Sequence, residues 1–416
     1  MKIVVVGAGL AGLTCAGSLA VDHEVSVLEA TNRIGGRVRS LRPQEGQSTT
    51  DPVVELGAQV IHGSDNPLLH DAMLASDCSP AATSLERGVI VVDGAARPLT
   101  GDTQVSSPLR TLTILRHIHK QLSGMGMGSV SVQQALRMAR VSRLDQQVFI
   151  EWFQQNTATA VAHTSLGSFC TEDWYAGSSD QQLRAGTGLE THLHRWAAGL
   201  DVRLSHAVHE IRLTNDGVQL VLEHGVVDAD KVVITIPPPL VANGTLRVTG
   251  LPSSRITAAG RLEAGDGVVV ALRLEQRATG ERFTFDGDGG LGHVTVLGNQ
   301  QYVVAVSKGP QASKLRALAS SPTALTRAVT ALDPTLKITD DPPLIEDWSS
   351  GPWRAGAFTK PGPEVAAAAA TWRQPWEERV FFAGEASQAQ GRAPFLDQAH
   401  ASGVRAASEV RQHIRN

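Results

Sequence analysis

Cysteine is scarce in this 416-residue chain, with Cys15, Cys78 and Cys170 as its three copies. Their number is odd, their spacing is wide and none forms a CxxC pair. Neither a disulfide framework nor a cysteine-rich metal site is expected, and a reducing cytoplasmic setting fits best. The closest-spaced histidine pairs are His117 with His119 and His192 with His194. Neither pair stands beside cysteines or carboxylates at ligand spacing, so no metal is expected. An uninterrupted apolar run long enough to span a bilayer is also missing. The stretch 3–20 is apolar but punctuated by glycines, and reads as a βα unit rather than a secretory signal. Neither sign of charge dominates: 37 Lys+Arg against 41 Asp+Glu leaves a formal net charge of −4. That balance gives no reason to expect nucleic acid or an acidic membrane as partner. The length allows two domains and a well-filled core.

Glycine, by contrast, is plentiful at 40 residues, and several copies cluster near the start. Lys2–Val6 is a β-branched run suited to a buried parallel strand, and it stops at Gly7–Ala8–Gly9–Leu10–Ala11–Gly12. Gly7 permits a tight turn, Gly9 lets the backbone approach a pyrophosphate, and Gly12 lets the following helix lie close to the strand. That helix, expected over 10–20, would point its unpaired N–H groups at the phosphates, with Ala11 in its first turn. A second apolar run, Glu24–Leu28, ends at Glu29 and Ala30, seventeen residues after Gly12. A carboxylate there accepts ribose hydroxyls and disfavours a ribose phosphate. The next segment, Arg33–Ile34–Gly35–Gly36–Arg37, tips the reading from NAD to FAD. Gly35 and Gly36 would let the backbone approach the flavin end, and Arg37 offers forked donors to the second phosphate.

With that segment included, the opening of the chain resembles the flavin-containing amine oxidase superfamily, which includes monoamine and polyamine oxidases. Glu55–Gly63 is similar to the family's stretch beside the flavin ring, where Gly57, Ala58 and Gln59 leave room for a flat aromatic system. At the far end, Phe382–Ala383–Gly384–Glu385 matches a second family motif. The resemblance implies that Gly384 and Glu385 lie near the ribityl and phosphate region. It also implies that Phe395 and Leu396 open a helix aimed at the flavin's N1 and O2 edge. Val208 would meet the adenine through its backbone, or is an ordinary strand valine. The implied fold is α/β, a Rossmann-like FAD-binding domain built from discontinuous segments with a mixed α+β substrate domain. The first comprises 1–68, 186–240 and 376–416. The second comprises 69–185, mainly helical, and 241–375. Segment 348–361 has no cysteine where monoamine oxidases attach FAD, so non-covalent FAD is implied.

Local patterns fill in the plan. Leu109, Leu112, Leu115, Ile118 and Leu122 recur at helical spacing, and Thr187 stands as a candidate N-cap for a helix carrying Leu189, Leu193, Trp196 and Leu200. Strands are expected over 208–213, 218–223, 231–236, 267–274 and 292–297. By resemblance, a hydride passes from the carbon beside a neutral amine to the flavin, and oxygen or another acceptor reoxidises it; the small-molecule substrate is an amine, an amino acid or a metabolite with a related C–N or C–C bond. The family's usual lysine falls at Val269, and 265–274 contains none. Tyr175 and Tyr302 are the only tyrosines, leaving Trp348, Trp353, Phe358 and Phe395 as available aromatics. Gln59, Trp353 and Phe358 are candidates for the substrate site, with loop hydrogen bonding or core packing as the other reading. His62 is the candidate catalytic group, either binding substrate or moving a proton, or else a satisfied structural histidine. Other functions compatible with the opening motif are a flavin-dependent isomerase resembling UDP-galactopyranose mutase, a desaturase or protoporphyrinogen-oxidase type of enzyme, and a non-catalytic flavin-stabilised binding protein.

Overall fold

Strands that are apolar along most of their length need cover on both faces, and four such runs, Lys2–Val6, Glu24–Leu28, Lys231–Ile234 and Val380–Phe382, meet in one parallel sheet with the polar Asp201–Arg203 at its edge. The computed structural model describes residues 1–41, 53–81, 88–99, 108–126, 130–171, 182–298, 300–388 and 395–415. The sheet order is Asp201–Arg203, Glu24–Leu28, Lys2–Val6, Lys231–Ile234, Val380–Phe382. All four neighbour pairs are parallel. On one face Ile3, Val5, Val27, Val233 and Phe381 pack against the first helix, Leu10–Leu19, and the closing helix, Leu396–Arg415. On the other, Val4, Val6, Val232, Ile234, Val380 and Phe382 meet Ala258, Ala259, Ala368, Ala369 and Trp372. Helices Ser253–Arg261 and Val365–Trp372, expected within the substrate portion, therefore help to cover the parallel sheet.

A four-stranded sheet lies beside it in the order Gly225–Ala229, Val218–Leu222, Val208–Leu213, Arg247–Val248. The Gly225–Ala229 strand was not anticipated, because a five-residue run of Gly-Val-Val-Asp-Ala is short and shows no alternation. The third large element is a seven-stranded sheet: Leu344–Asp347, Gly267–Arg273, Tyr302–Lys308, His293–Val296, Arg282–Asp286, Gly88–Val92, Ala95–Pro98. Its last two strands come from a region expected to be mainly helical. Alternation sorts its side chains: Val268, Val270, Leu272, Val294, Val296, Val303 and Ala305 pack against helices Ala312–Ala319 and Pro322–Leu332. The other face looks into a cavity. Helices Pro108–Gly124, Val132–Met138 and Arg143–Thr157 form a layer around Leu112, Leu115, Phe149, Trp152 and Phe153. Among the described residues, no helix is long and apolar enough to cross a membrane.

One expected cap is displaced. Gly188, rather than Thr187, is the N-cap of helix Leu189–Ala197, and it supplies no side-chain acceptor. The Leu189 N–H donates instead to Glu55 Oε1 at 2.8 Å, and the Glu190 N–H to Ser40 Oγ at 3.1 Å. Thr187 is held by Asp77, whose Oδ2 accepts its hydroxyl at 2.8 Å.

Candidate active site

The first strand stops at Gly7, whose φ of +106° is accessible to glycine and strained for other residues. Its N–H donates to Leu28 O at 2.8 Å, which ties the turn to the second strand. Gly12 faces the same turn, and a Cβ there would collide with the Gly7 carbonyl. Gly12 thus sets the distance between helix and strand and does not itself line the cavity. Gly9 caps the first helix without a side-chain acceptor, and no acidic residue stands in the first turn. The helix's positive end is therefore open towards the cavity lined by Gly7, Gly9 and Ala11. Gly9 also bridges to Gly35, bringing the Gly35–Gly36 backbone to the same wall.

Glu29 and Ala30 line the adjoining part. Glu29 Oε2 accepts the Ala8 N–H at 2.8 Å, while Oε1 accepts the N–H and hydroxyl of Thr31 at 2.9 and 2.8 Å. These bonds orient the carboxylate and leave lone pairs for a ligand. Arg33 lines the cavity but directs its guanidinium to the loop's own carbonyls, those of Ile34, Gly36 and Val38. Arg37 behaves differently. Its Nη1 lies 2.8 Å from Glu385 Oε1, joining two residues 348 positions apart. Thr359 also donates to that oxygen, from its N–H at 3.2 Å and its hydroxyl at 2.9 Å. Glu385 Oε2 is buried and has no partner among the described residues. An orphaned buried acceptor beside an arginine and an open helix end suits a ligand with both hydroxyls and phosphates, as FAD has.

The cavity, about 630 Å³, extends from this wall along the seven-stranded sheet. Gly57, Ala58, Gln59 and His62 line it from the segment after Val54–Glu55, with the Ala58 N–H bonded to Arg37 O at 3.1 Å. His62 stacks on Phe395 with ring centroids 3.9 Å apart, just before the closing helix. Phe395, Leu396 and Gly384 complete that side. Val208 contributes from the start of its strand, and Trp353 stands 5.4 Å from the His209 ring. Trp348 donates its Nε1–H to Leu56 O at 3.0 Å, so its edge on the cavity is fixed. Tyr302 does not line the cavity, and Tyr175 falls outside the described residues. None of the three cysteines lines it either.

Two ionisable groups here escaped the sequence reasoning. Glu55 is half-buried near Glu190, and desolvation pushes its carboxyl up to about 8 against hydrogen bonds from Leu189 and Ser40. Lys308 ends the strand beside Gly267–Arg273, and its Nζ lies 5.4 Å from the centroid of Phe358, another cavity residue. Burial alone pushes its ammonium down to about 8. Val269, where the resemblance led one to look for a lysine, pairs with Val306, so Lys308 sits diagonally across one strand. The signal was present: Val304, Val306 and Lys308 alternate in phase, and the first two are buried on the cavity side.

The profile of the flavin containing amine oxidoreductase family matches residues 128–411, and that of an NAD(P)-binding Rossmann-like domain matches 5–75. A flavin-dependent L-tryptophan oxidase of Lentzea aerocolonigenes is 29% identical over 315 residues, covering 66% of each chain. Human lysine-specific histone demethylase 2 is 25% identical over 98% of this chain, which spans about half (53%) of that relative. The solved cyclohexylamine oxidase from Brevibacterium oxydans superposes with a TM-score of 0.80 at 20% identity, covering 100% of this chain and 99% of the other. A putrescine oxidase gives 0.78 at 18% identity with 99% of both chains covered. These superpositions establish a shared fold.

Proposed function

We propose that this chain, which belongs to the family of flavin-containing amine oxidoreductases, is an FAD-dependent oxidase-type enzyme that removes hydride from a substrate C–H beside an amine. FAD, when bound, supplies the hydride acceptor, with oxygen or another acceptor as the final electron sink. The observation that carries the reading is the Arg37–Glu385 pair at 2.8 Å, in a wall that also holds the glycine turn. Two chain ends converge where a long ligand with a charged middle would need them.

The remaining roles follow from chemistry. Gly9 and Ala11 offer backbone and helix end to a pyrophosphate, and Arg37 its guanidinium. Glu29 accepts from a ribose, and Val208 lies where an adenine would meet backbone. Gly35, Gly36, Gly57, Ala58 and Gln59 leave a flat space for the ring system, which Gly384, Glu385, Phe395 and Leu396 would bound from the other chain end. Gly7, Gly12 and Arg33 hold the turn and loop in shape. His62, stacked on Phe395, is the candidate to bind substrate or move a proton, with Gln59, Trp353 and Phe358 as substrate walls. The chemistry asks chiefly for orientation and exclusion of water, to which apolar lining residues such as Val269, Val304 and Val306 would contribute. The names of similar proteins, a tryptophan oxidase, a cyclohexylamine oxidase and a putrescine oxidase, support an amine-bearing small molecule as substrate.

All five parallel strands come from 1–68, 186–240 and 376–416, and all seven strands of the large sheet from 69–185 and 241–375. This supports the first set as the FAD-binding portion and the second as the substrate portion. The absence of cysteine from the cavity lining supports non-covalent attachment.

Purified protein should carry oxidised-flavin absorption that an amine bleaches anaerobically. Denaturation should release free FAD, and turnover should yield peroxide or reduced acceptor, unlike an isomerisation. Colourless protein that does not take up added FAD would overturn the reading.

A further inference from the structure

Polar groups on the cavity side of the seven-stranded sheet lack protein partners among the described residues. Register brings them together: Thr295 pairs with Val304 and His293 with Val306, while Lys308 follows Val306 by two positions on the same face. Thr295 Oγ1 and His293 Nδ1 are buried and unpartnered. Among the described residues, no carboxylate raises the Lys308 pKa and no ion pair includes it. Opposite Lys308 stands Gly267, which adds no side chain to the space. Burial and the Lys308 charge keep His293 neutral, holding its pKa down at about 3. Other cations lining this side are paired, Arg184 with Glu281 at 3.3 Å and both Arg39 and Arg354 with Glu346.

The acids that line the cavity do not balance this charge. Glu29 is bound to Ala8 and Thr31, Glu385 to Arg37 and Thr359, and Glu55 is held largely protonated below pH 8 by burial. A desolvated cation without a counter-ion is costly, and a ligand that supplies the missing charge removes the penalty. A second ammonium at this wall would be repelled.

We infer that the substrate is an amine that also carries an anionic group, a carboxylate in the smallest case, with Lys308 as its counter-ion and Thr295 and His293 as neutral hydrogen-bonding neighbours. The inference rests on the amine-oxidase reading and narrows it, since it disfavours diamines. Lys308 selects the substrate by charge and needs no covalent step.

Calorimetric titration of the flavin-loaded enzyme with benzoate and with benzamide, its neutral counterpart, tests this. Benzoate should bind at least about tenfold more tightly, the scale of one charge-assisted hydrogen bond. Lys308→Met should erase the difference, and Lys308→Arg should keep most of it. In anaerobic flavin bleaching, phenylalanine should be favoured over phenethylamine by the wild type and lose that advantage in Lys308→Met. Equal binding of benzoate and benzamide to the wild type overturns the inference, as does a preference that survives in Lys308→Met. A variant that shifts the flavin midpoint potential but keeps the benzoate-to-benzamide ratio also overturns it, because the charge then serves the cofactor. If no amine bleaches the flavin, the oxidase reading fails instead, while the wild-type titrations still decide the charge question without any variant.

Discussion

Lys308 carries a cost that a titration can expose. Its pKa is depressed from 10.5 to about 8 by burial, so between those values the unfolded chain holds a proton that the folded chain lacks. Stability therefore rises with pH through that window, and the penalty is fully present below pH 8. Lys308→Met should be more stable than the wild type by about 1–3 kcal/mol at pH 7. The gap should narrow as pH approaches 10, measured by denaturant unfolding at matched flavin saturation. Glu55 has the opposite dependence. Its raised pKa means that the folded state retains a proton from pH 4.5 to about 8, so its contribution falls as pH rises across that range. Glu55→Gln should flatten the decline, which can reach about 1.4 kcal/mol per pH unit for one group. Glu151, pushed up to about 8 by burial, should keep part of the slope in that variant.

At the scale of elements, the opening βαβ unit depends on one close approach. Gly12→Ala would press a methyl group into the Gly7 carbonyl, a backbone atom that cannot turn aside. The expected result is a loss of about 1–3 kcal/mol in denaturant unfolding, with weaker FAD binding because the first helix is pushed off the turn. These elements were readable locally: the first helix is expected over 10–20 and runs Leu10–Leu19, and the closing helix is expected to open at Phe395 and Leu396 and runs Leu396–Arg415. The cap at Leu189 was not readable. Thr187 has the right residue type, but the helix end is satisfied by Glu55, 134 positions away. Strands Gly88–Val92 and Ala95–Pro98 were missed because Gly88–Val92 joins Arg282–Asp286, with Ala95–Pro98 paired to its far side, in a sheet whose other members lie beyond residue 260.

For the whole molecule, one ligand would join both ends of the chain, so folding and cofactor binding should be linked. FAD at one hundred times its Kd should add about 2.7 kcal/mol to stability, read as an unfolding midpoint that climbs with FAD concentration. A midpoint indifferent to FAD would contradict a cavity built for it. The sequence by itself determined the glycine turn, the acid after the second strand, the Arg33–Arg37 loop and the distant Gly384–Glu385 motif. Each works through backbone conformation or residue type over a few positions, so each is written locally. Tertiary structure alone decided that Glu385 meets Arg37, that Glu55 caps a remote helix, and that Thr295, His293 and Lys308 share one wall beside Phe358. Those outcomes depend on sheet register and long-range packing, which bring together residues whose local sequences carry no mark of one another.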